Sequence, residues 1–284
     1  MGLQYLQEVV VASADVAAAT RFHREAFDLE VLEEVDGSVL LGVPGAPAGR
    51  LRLVPAETSP ADLTSPEVWD LGARLLGIYS RDLDATAAAM ASAGGAPRRP
   101  VTYPYGEASL SELVGRGPDG VWWTIPLAVA GAHRPSAAYD ADSVRNHSEL
   151  HTAVLVVADH EAAVAFFEAA GFSTLFDGAM SGAPFDELVG MPADAALRLA
   201  FMVGPEHQPA RLEIMSFTGV PTRDRSADPV GIRRLVLVAD DPAATRDALI
   251  AVGAEELGDG VLRGPVGVEI EIVADEAAGT EKES

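Results

Sequence analysis

Short β-branched apolar runs alternate along the chain with alanine-rich stretches of helical period. Two stretches set the pattern: EVVVASADVAAATRFHREAFDLEVL from residue 8 and HTAVLVVADHEAAVAFFEAAGFSTL from residue 151. In both, an apolar run reads as a half-buried strand. Ala, Val and Phe then recur at the spacing of a helix that packs one face on a sheet, and a return strand follows. Asp15 and Asp159 stand seven residues before Phe22 and Phe166, respectively. That is a helix N-cap position, where a carboxylate accepts the free N–H groups of the first turn. The chain therefore repeats itself.

A second pair of repeats is offset within each half. RLLGIYSRDLDATAAAMASAGG (74–95) parallels IRRLVLVADDPAATRDALIAVGA (232–254), with Asp82 and Asp241 each twelve residues before a glycine, Gly94 or Gly253. A glycine there suits the left-handed C-cap of a helix. Both repeats run on into matching turns, GPDGVWWTIP (117–126) and GPVGVEIEIV (264–273).

The expected fold is α+β, with four units of one strand, one helix and about three further strands. One such unit leaves a sheet face open, and two side by side close into a cupped surface. Read in chain order, units one and two form a domain over 1–127, and units three and four a second over 149–275. The small, polar, Pro-containing stretch 128–148 reads as a linker, with His133 and His147 solvated in it. Residues 276–284 read as a solvated tail.

Charge and composition narrow the function. With 43 acidic against 20 basic residues the net charge is -23, which repels nucleic-acid phosphates and anionic membranes. A small-molecule ligand is the expected partner, and the protein itself is expected to be a monomer or homodimer. The absence of cysteine excludes thiolate chemistry and disulfides. Together with the lack of a signal-peptide pattern, it fits a cytoplasmic protein. No Walker, dinucleotide-binding or nucleophile-elbow motif occurs.

The strand, Asp, helix with an aromatic pair and return strand, with the closing Gly turn, resemble the vicinal oxygen chelate (glyoxalase/bleomycin-resistance/extradiol dioxygenase) superfamily. The likeness spans nearly the whole chain outside the linker and tail. It implies four βαβββ modules pairing into two tandem cupped-sheet domains. It also implies four ligand positions per cup, one in the first and one in the last strand of each unit. In metal-using relatives these hold His, Gln or Glu around one divalent ion, Mg, Mn, Fe, Ni, Co or Zn.

In the N-terminal half those positions fall on Glu8, Arg52, Leu75 and Thr124, which make no metal site. Glu8 with Arg52 is a self-neutralising pair, so this cup is either structural or binds an organic ligand without metal, with Glu8, Arg52 and Thr124, and Thr152 of the other half, as substrate-binding residues. Trp122 and Trp123, adjacent on a strand, point to opposite faces, so one is core and the other lines the cup beside a planar ligand. In the C-terminal half the positions fall on Thr152, Glu213, Arg234 and Glu271. His151 joins Glu213 and Glu271 as a metal ligand only if a β-bulge turns it inward. Without metal, Glu213 and Glu271 serve as proton-transfer groups, with Arg234 holding an anionic oxygen. The bland alternative is that Glu213 and Glu271 are acids paired with Arg234, Arg233 or Arg211.

Two functions follow. One is a lyase or isomerase acting in the C-terminal cup on a small carbonyl-containing or polyketide-like metabolite, with a divalent metal or with no cofactor. The other is a non-catalytic binder of an aromatic, antibiotic-like molecule. Carboxylates locked to Arg234 with an open aromatic N-terminal cup favour the binder, and perturbed carboxylates in the C-terminal cup favour the enzyme. An extradiol dioxygenase would need a second His where Arg234 stands.

Overall fold

The computed structural model describes residues 2–57, 65–105, 108–129, 137–205 and 210–275. His133, His207 of the turn expected from GPEHQP, and the tail 276–284 lie outside the described residues. Four units follow one another. The first holds β1 (Leu3–Ser13), α1 (Val16–Phe27), β2 (Glu30–Val35), β3 (Ser38–Gly42) and β4 (Arg50–Pro55). The second holds β5 (Gly72–Ser80), α2 (Leu83–Ser92), β6 (Ala96–Pro97), β7 (Val101–Tyr105), β8 (Ala108–Arg116) and β9 (Trp122–Pro126). After a short helix α3 (Ala137–Ala141), the third holds β10 (His147–Val156), α4 (His160–Ala169), β11 (Ser173–Ser181), α5 (Phe185–Val189), β12 (Ala196–Val203) and β13 (Arg211–Thr218). The fourth holds β14 (Gly231–Ala239), α6 (Pro242–Ala251), β15 (Glu255–Gly258), β16 (Val261–Arg263) and β17 (Glu269–Ala274).

The helix starts are set as the sequence predicts. Asp15, Asp82, Asp159 and Asp241 have extended backbones, and their carboxylates accept the N–H of Ala18, Ala85, Ala162 and Ala244. Gly94 and Gly253 follow their helices with φ of 94° and 105°, a conformation that costs glycine little and other residues more. The two closing turns also match, with Asp119 and Val266 both left-handed at φ 55° and 50°.

The units do not pair in chain order. An eight-stranded sheet runs β15-β16-β17-β14-β1-β4-β3-β2, joining the fourth unit to the first. A nine-stranded sheet runs β11-β12-β13-β10-β5-β9-β8-β6, with β7 on β8, joining the third unit to the second. The two cups expected from 1–127 and 149–275 therefore form with exchanged partners. The seams are antiparallel: Val9 faces Leu235 where β1 meets β14, and Ala153 faces Leu76 where β10 meets β5. The apolar run that identifies each first strand is a local signal, and it leaves the choice of partner open.

The main core lies between the helices and one face of these strands, with Val9, Leu51, Leu76, Leu155 and Leu237 against Phe22, Phe27, Phe166 and Phe167. A second, smaller cluster, including Leu75, Val114, Val154, Leu197 and Met215, fills the other face of the nine-stranded sheet alone.

The stretch 128–148 is not a solvated linker at its C-terminal end. His147 opens β10 and is 3% exposed. Its ring meets Asp28 Oδ2 at 2.8 Å through Nδ1 and Thr86 Oγ1 at 2.7 Å through Nε2. Tyr139 is fully buried under the Arg81 guanidinium, 3.9 Å above its ring. These contacts tie the segment to both α1 and α2.

The exchange predicts how the halves behave when separated. A fragment ending at residue 129 lacks both seam partners, exposing the edges of β1 and β5, which invite pairing with other chains. Expressed alone, it is expected to aggregate or self-associate. Co-expressed with residues 137–284, it is expected to co-purify as one complex that unfolds in a single transition. Size-exclusion chromatography decides: a well-behaved monomeric N-terminal fragment would contradict the pairing.

Candidate functional site

Each sheet carries a cavity on the face away from the four capped helices, with the short helix α5 lining the one in the nine-stranded sheet, and the four family positions of each cup are now drawn from exchanged units. In the eight-stranded sheet Glu8 and Arg52 meet Arg234 and Glu271. In the nine-stranded sheet Leu75 and Thr124 meet His151 and Glu213. The expected trio Glu213, Glu271 and Arg234 is therefore split: Glu213 lies in one cavity, Arg234 and Glu271 in the other. The expected ligand set His151, Glu213 and Glu271 is split in the same way. Among the described residues no group of three His, Asp or Glu side chains is placed to hold a metal ion.

The first cavity, about 740 Å³, has ion pairs at its four family positions. The Arg52 guanidinium grips Glu8 with Nε at 2.6 Å and Nη2 at 3.2 Å, and reaches Glu33 at 3.0 Å. Across the seam, Arg234 holds Glu269 at 3.0 Å and Glu271 at 3.1 Å. The Glu8 carboxylate raises the pKa of Arg52. For Arg234, burial works against the charge, but Glu269 and Glu271 outweigh it and the net shift is upward. Acid and base trade places between the units: Glu then Arg in the first, Arg then Glu in the fourth. The self-neutralising Glu8–Arg52 pair forms as expected, and Glu271 is paired rather than free.

The second cavity, about 510 Å³, is mostly apolar, with Leu110, Val114, Phe185, Leu199 and Met215 among its walls. Its first-strand position depends on a bulge. Leu150 pairs with Ile78 and Thr152 with Gly77, leaving His151 as the extra residue of β10. Such a bulge re-aims one side chain, and His151 lines the cavity, stacked on Tyr79 at 4.2 Å. Glycine at 77 makes this possible, since a Cβ there would sit 2.4 Å from Thr152 Cγ2 and 2.9 Å from His151 Nε2. Thr152 itself is fully buried beside Gly77 and does not line the cavity. Gln7 is the corresponding extra residue of β1 and lines the first cavity.

The polar side chains of the second cavity carry its chemistry. Glu213, 4% exposed, takes both Nη2 (2.7 Å) and Nε (3.1 Å) of Arg211 on its Oε1. Arg211 in turn lies 3.7 Å over the ring of Phe201. Glu112 is 8% exposed and accepts the hydroxyls of Tyr103 (2.5 Å) and Thr124. Burial pushes the Glu112 carboxyl above the ordinary carboxylate value. Thr124 and Tyr103 pull it down, while the charge of Glu213 adds to the rise.

Glu112 is the residue that family positions do not point to, because it sits in a middle strand. Its signal is parity: in β8 Leu110, Glu112 and Val114 share one face, and two of the three are apolar. The tryptophans do point apart, but neither lines the cavity. Trp123 packs on Phe27 at 4.3 Å, while Trp122 donates to the Pro66 carbonyl at 2.9 Å, with Arg98 5.4 Å from the ring centre. His23 is core, and burial lowers its pKa to about 4.

Comparison with known proteins places this geometry. Residues 5–125 match the model of the Glyoxalase/Bleomycin resistance protein/Dioxygenase superfamily. Glyoxalase I from Zea mays is similar in structure, with a TM-score of 0.67 at 16% identity over 98% of this chain and 94% of that one. A proposed dioxygenase from Bacillus subtilis has a TM-score of 0.61 at 10% identity over 97% of this chain and 86% of that one. At such identities the likeness is one of fold. No curated protein sequence matches the chain.

The raised carboxyl of Glu112 has a measurable sign. Above the ordinary carboxylate value of 4.5 the unfolded chain loses this proton while the folded chain keeps it. The folded state is then the one holding more protons, so stability falls as pH rises through that window. Glu112→Gln removes this contribution. In denaturant titrations, the stability of the variant relative to the parent protein is therefore expected to improve as the pH rises above the ordinary carboxylate value of 4.5. An unchanging difference would mean that Glu112 ionises normally.

Proposed function

We propose, on the premise that the chain belongs through residues 5–125 to the Glyoxalase/Bleomycin resistance protein/Dioxygenase superfamily, that it captures a neutral, largely apolar, ring-containing molecule bearing a carbonyl or phenol oxygen. The site is the cavity between its second and third units. The observation that carries this reading is that cavity: about 510 Å³ of mainly apolar wall with Glu112, Arg211 and Glu213 on its lining. Sites for drug-sized molecules have this size and make-up, with a few placed polar groups fixing orientation. Arg211 and Glu213 neutralise each other, and a carboxyl that keeps its proton donates a hydrogen bond to a neutral oxygen. The other cavity contrasts with it, because Arg52 and Arg234 are already occupied by carboxylates.

A second reading, a lyase or isomerase without metal, is favoured by one specific feature. Two carboxylates, Glu112 and Glu213, line one cavity in unlike surroundings. Environments that separate two acids in this way suit one as proton donor and the other as base. Glu213 would take a proton from the carbon beside the carbonyl while Glu112 gives one to the carbonyl oxygen, leaving an enol.

Isothermal titration with neutral aromatic ketones and phenols, and with matched amines and carboxylates, tests the first reading. The neutral compounds are expected to bind. Leu110→Trp, which fills the cavity from a half-buried wall position, is expected to weaken them at least tenfold. Glu8→Gln in the other cavity is expected to leave them unchanged. Indifference to Leu110→Trp would sink the assignment. Solvent deuterium entering beside the carbonyl of a bound ketone, lost in Glu112→Gln, would move the reading from capture to catalysis.

A further inference from the structure

Where the two sheets meet, a third and much smaller pocket lies beside the first cavity and shares Arg233 with it. It has a volume of about 20 Å³ and is lined by Arg74, Arg225, Arg233, Asp228, Ser226 and Gly231, among others. Ala73 and Arg74 belong to β5 of the nine-stranded sheet, and Gly231 to Arg233 belong to β14 of the eight-stranded one. The chain between β13 and β14 passes beside it and is clasped to the start of β5. Leu71 N–H donates to the Arg223 carbonyl at 2.8 Å, and Arg225 N–H donates to the Leu71 carbonyl at 3.0 Å.

The lining is cationic in a strongly acidic protein. Three arginines and one aspartate face this pocket, although acidic residues outnumber basic ones by 43 to 20 along the chain. The nearby acids are engaged elsewhere. Asp70 accepts the N–H groups of Arg223 (3.0 Å) and Glu67 (2.9 Å) and lies 3.6 Å from Arg225 Nε. Asp228 lies 3.6 Å from Arg225 Nη1. Asp224 accepts Ser226 N–H at 2.9 Å.

Arg74 is the decisive group. It is 5% exposed, and its Nη2 donates to the Leu71 carbonyl at 2.9 Å. Its buried Nε has no acceptor among the described residues. A buried guanidinium cannot shed its charge, and a buried donor left without an acceptor is costly. Burial pulls the Arg74 pKa down, only partly offset by Asp228 and Asp70, with Arg225 adding to the fall. A negative charge in the pocket would relieve all of this.

We infer that this pocket binds one small monovalent anion of halide size, held by Arg74 with Arg225 and Arg233, and that the anion ties the two sheets together. Size selects the class. A cavity of roughly 10–15 Å³ holds one water, so about 20 Å³ accepts a halide and excludes phosphate or a carboxylic acid. Because the lining comes from both sheets, the site exists only in the folded chain. An anion bound there stabilises the fold by mass action.

The test is thermal unfolding of the full-length protein at constant ionic strength, with sodium gluconate replaced stepwise by chloride or bromide. A saturable rise in Tm with either halide is expected, and gluconate is too large to give one. Arg74→Met keeps the aliphatic stem and is expected to remove the rise. If that variant fails to fold, Arg233→Gln, at a half-buried lining position, is expected to raise the half-saturating chloride concentration several-fold. Crystals grown in bromide are expected to show an anomalous peak in the pocket. A Tm that follows ionic strength whatever the anion would overturn the proposal. So would a bromide crystal with water in the pocket and no anomalous peak.

Discussion

The antiparallel seams of β1 with β14 and of β10 with β5 are the contacts on which the remaining geometry depends. Each seam strand also carries a parallel neighbour from its own unit, β4, β17, β13 or β9. Once the seam register is set, four last-strand and first-strand positions are brought around each concavity together. A slip of one residue would turn every one of them to the opposite face. The buried side of each seam, with Val9 on Leu235 and Ala153 on Leu76, prevents that slip, because it would place core side chains in a cavity and cavity side chains in the core.

On this common frame the two cups have become chemically opposite. The eight-stranded sheet places Glu8, Arg52, Arg234 and Glu271 at its four positions, and their charges cancel in pairs. Such partly exposed pairs are each worth about 0.2–1 kcal/mol, so they fix side-chain positions more than they stabilise the fold. The nine-stranded sheet has Leu75 and Thr124 at two of those positions and Glu213 at a third, with Arg211 paired to Glu213 and a further acid, Glu112, in a middle strand. Low exposure makes those charges matter, since an acid out of water either finds a cation, as Glu213 does, or holds its proton, as Glu112 tends to.

Much of the fold was legible because the signals were local. The four aspartate caps, the glycines after α2 and α6 and the paired closing turns each follow from a few neighbouring residues, and the structure reproduces them. Partner choice was not legible in this way. It is a long-range property, and His147, read as solvated from the polar residues around it, is covered by Phe27, Asp28 and Thr86 of other units. The site shows the same division. The pairs Glu8–Arg52 and Arg234–Glu271 could be named from strand spacing, but grouping Glu213 with Glu271 relied on chain order. His151 needed a bulge that only the seam with β5 reveals. Glu112 was visible as an acid of inward parity in β8, a signal that becomes decisive only once that face is known to be enclosed.

The exchanged connection has a consequence for how such a molecule can change. Two identical half-chains associating through the same seams would form a symmetric pair, and any substitution would then appear in both concavities at once. With the halves joined in one chain, each concavity draws one unit from either half, and a single substitution alters one of them only. The ion-paired positions of one cup and the apolar wall of the other can therefore change independently of each other, although both rest on seams between the same two halves.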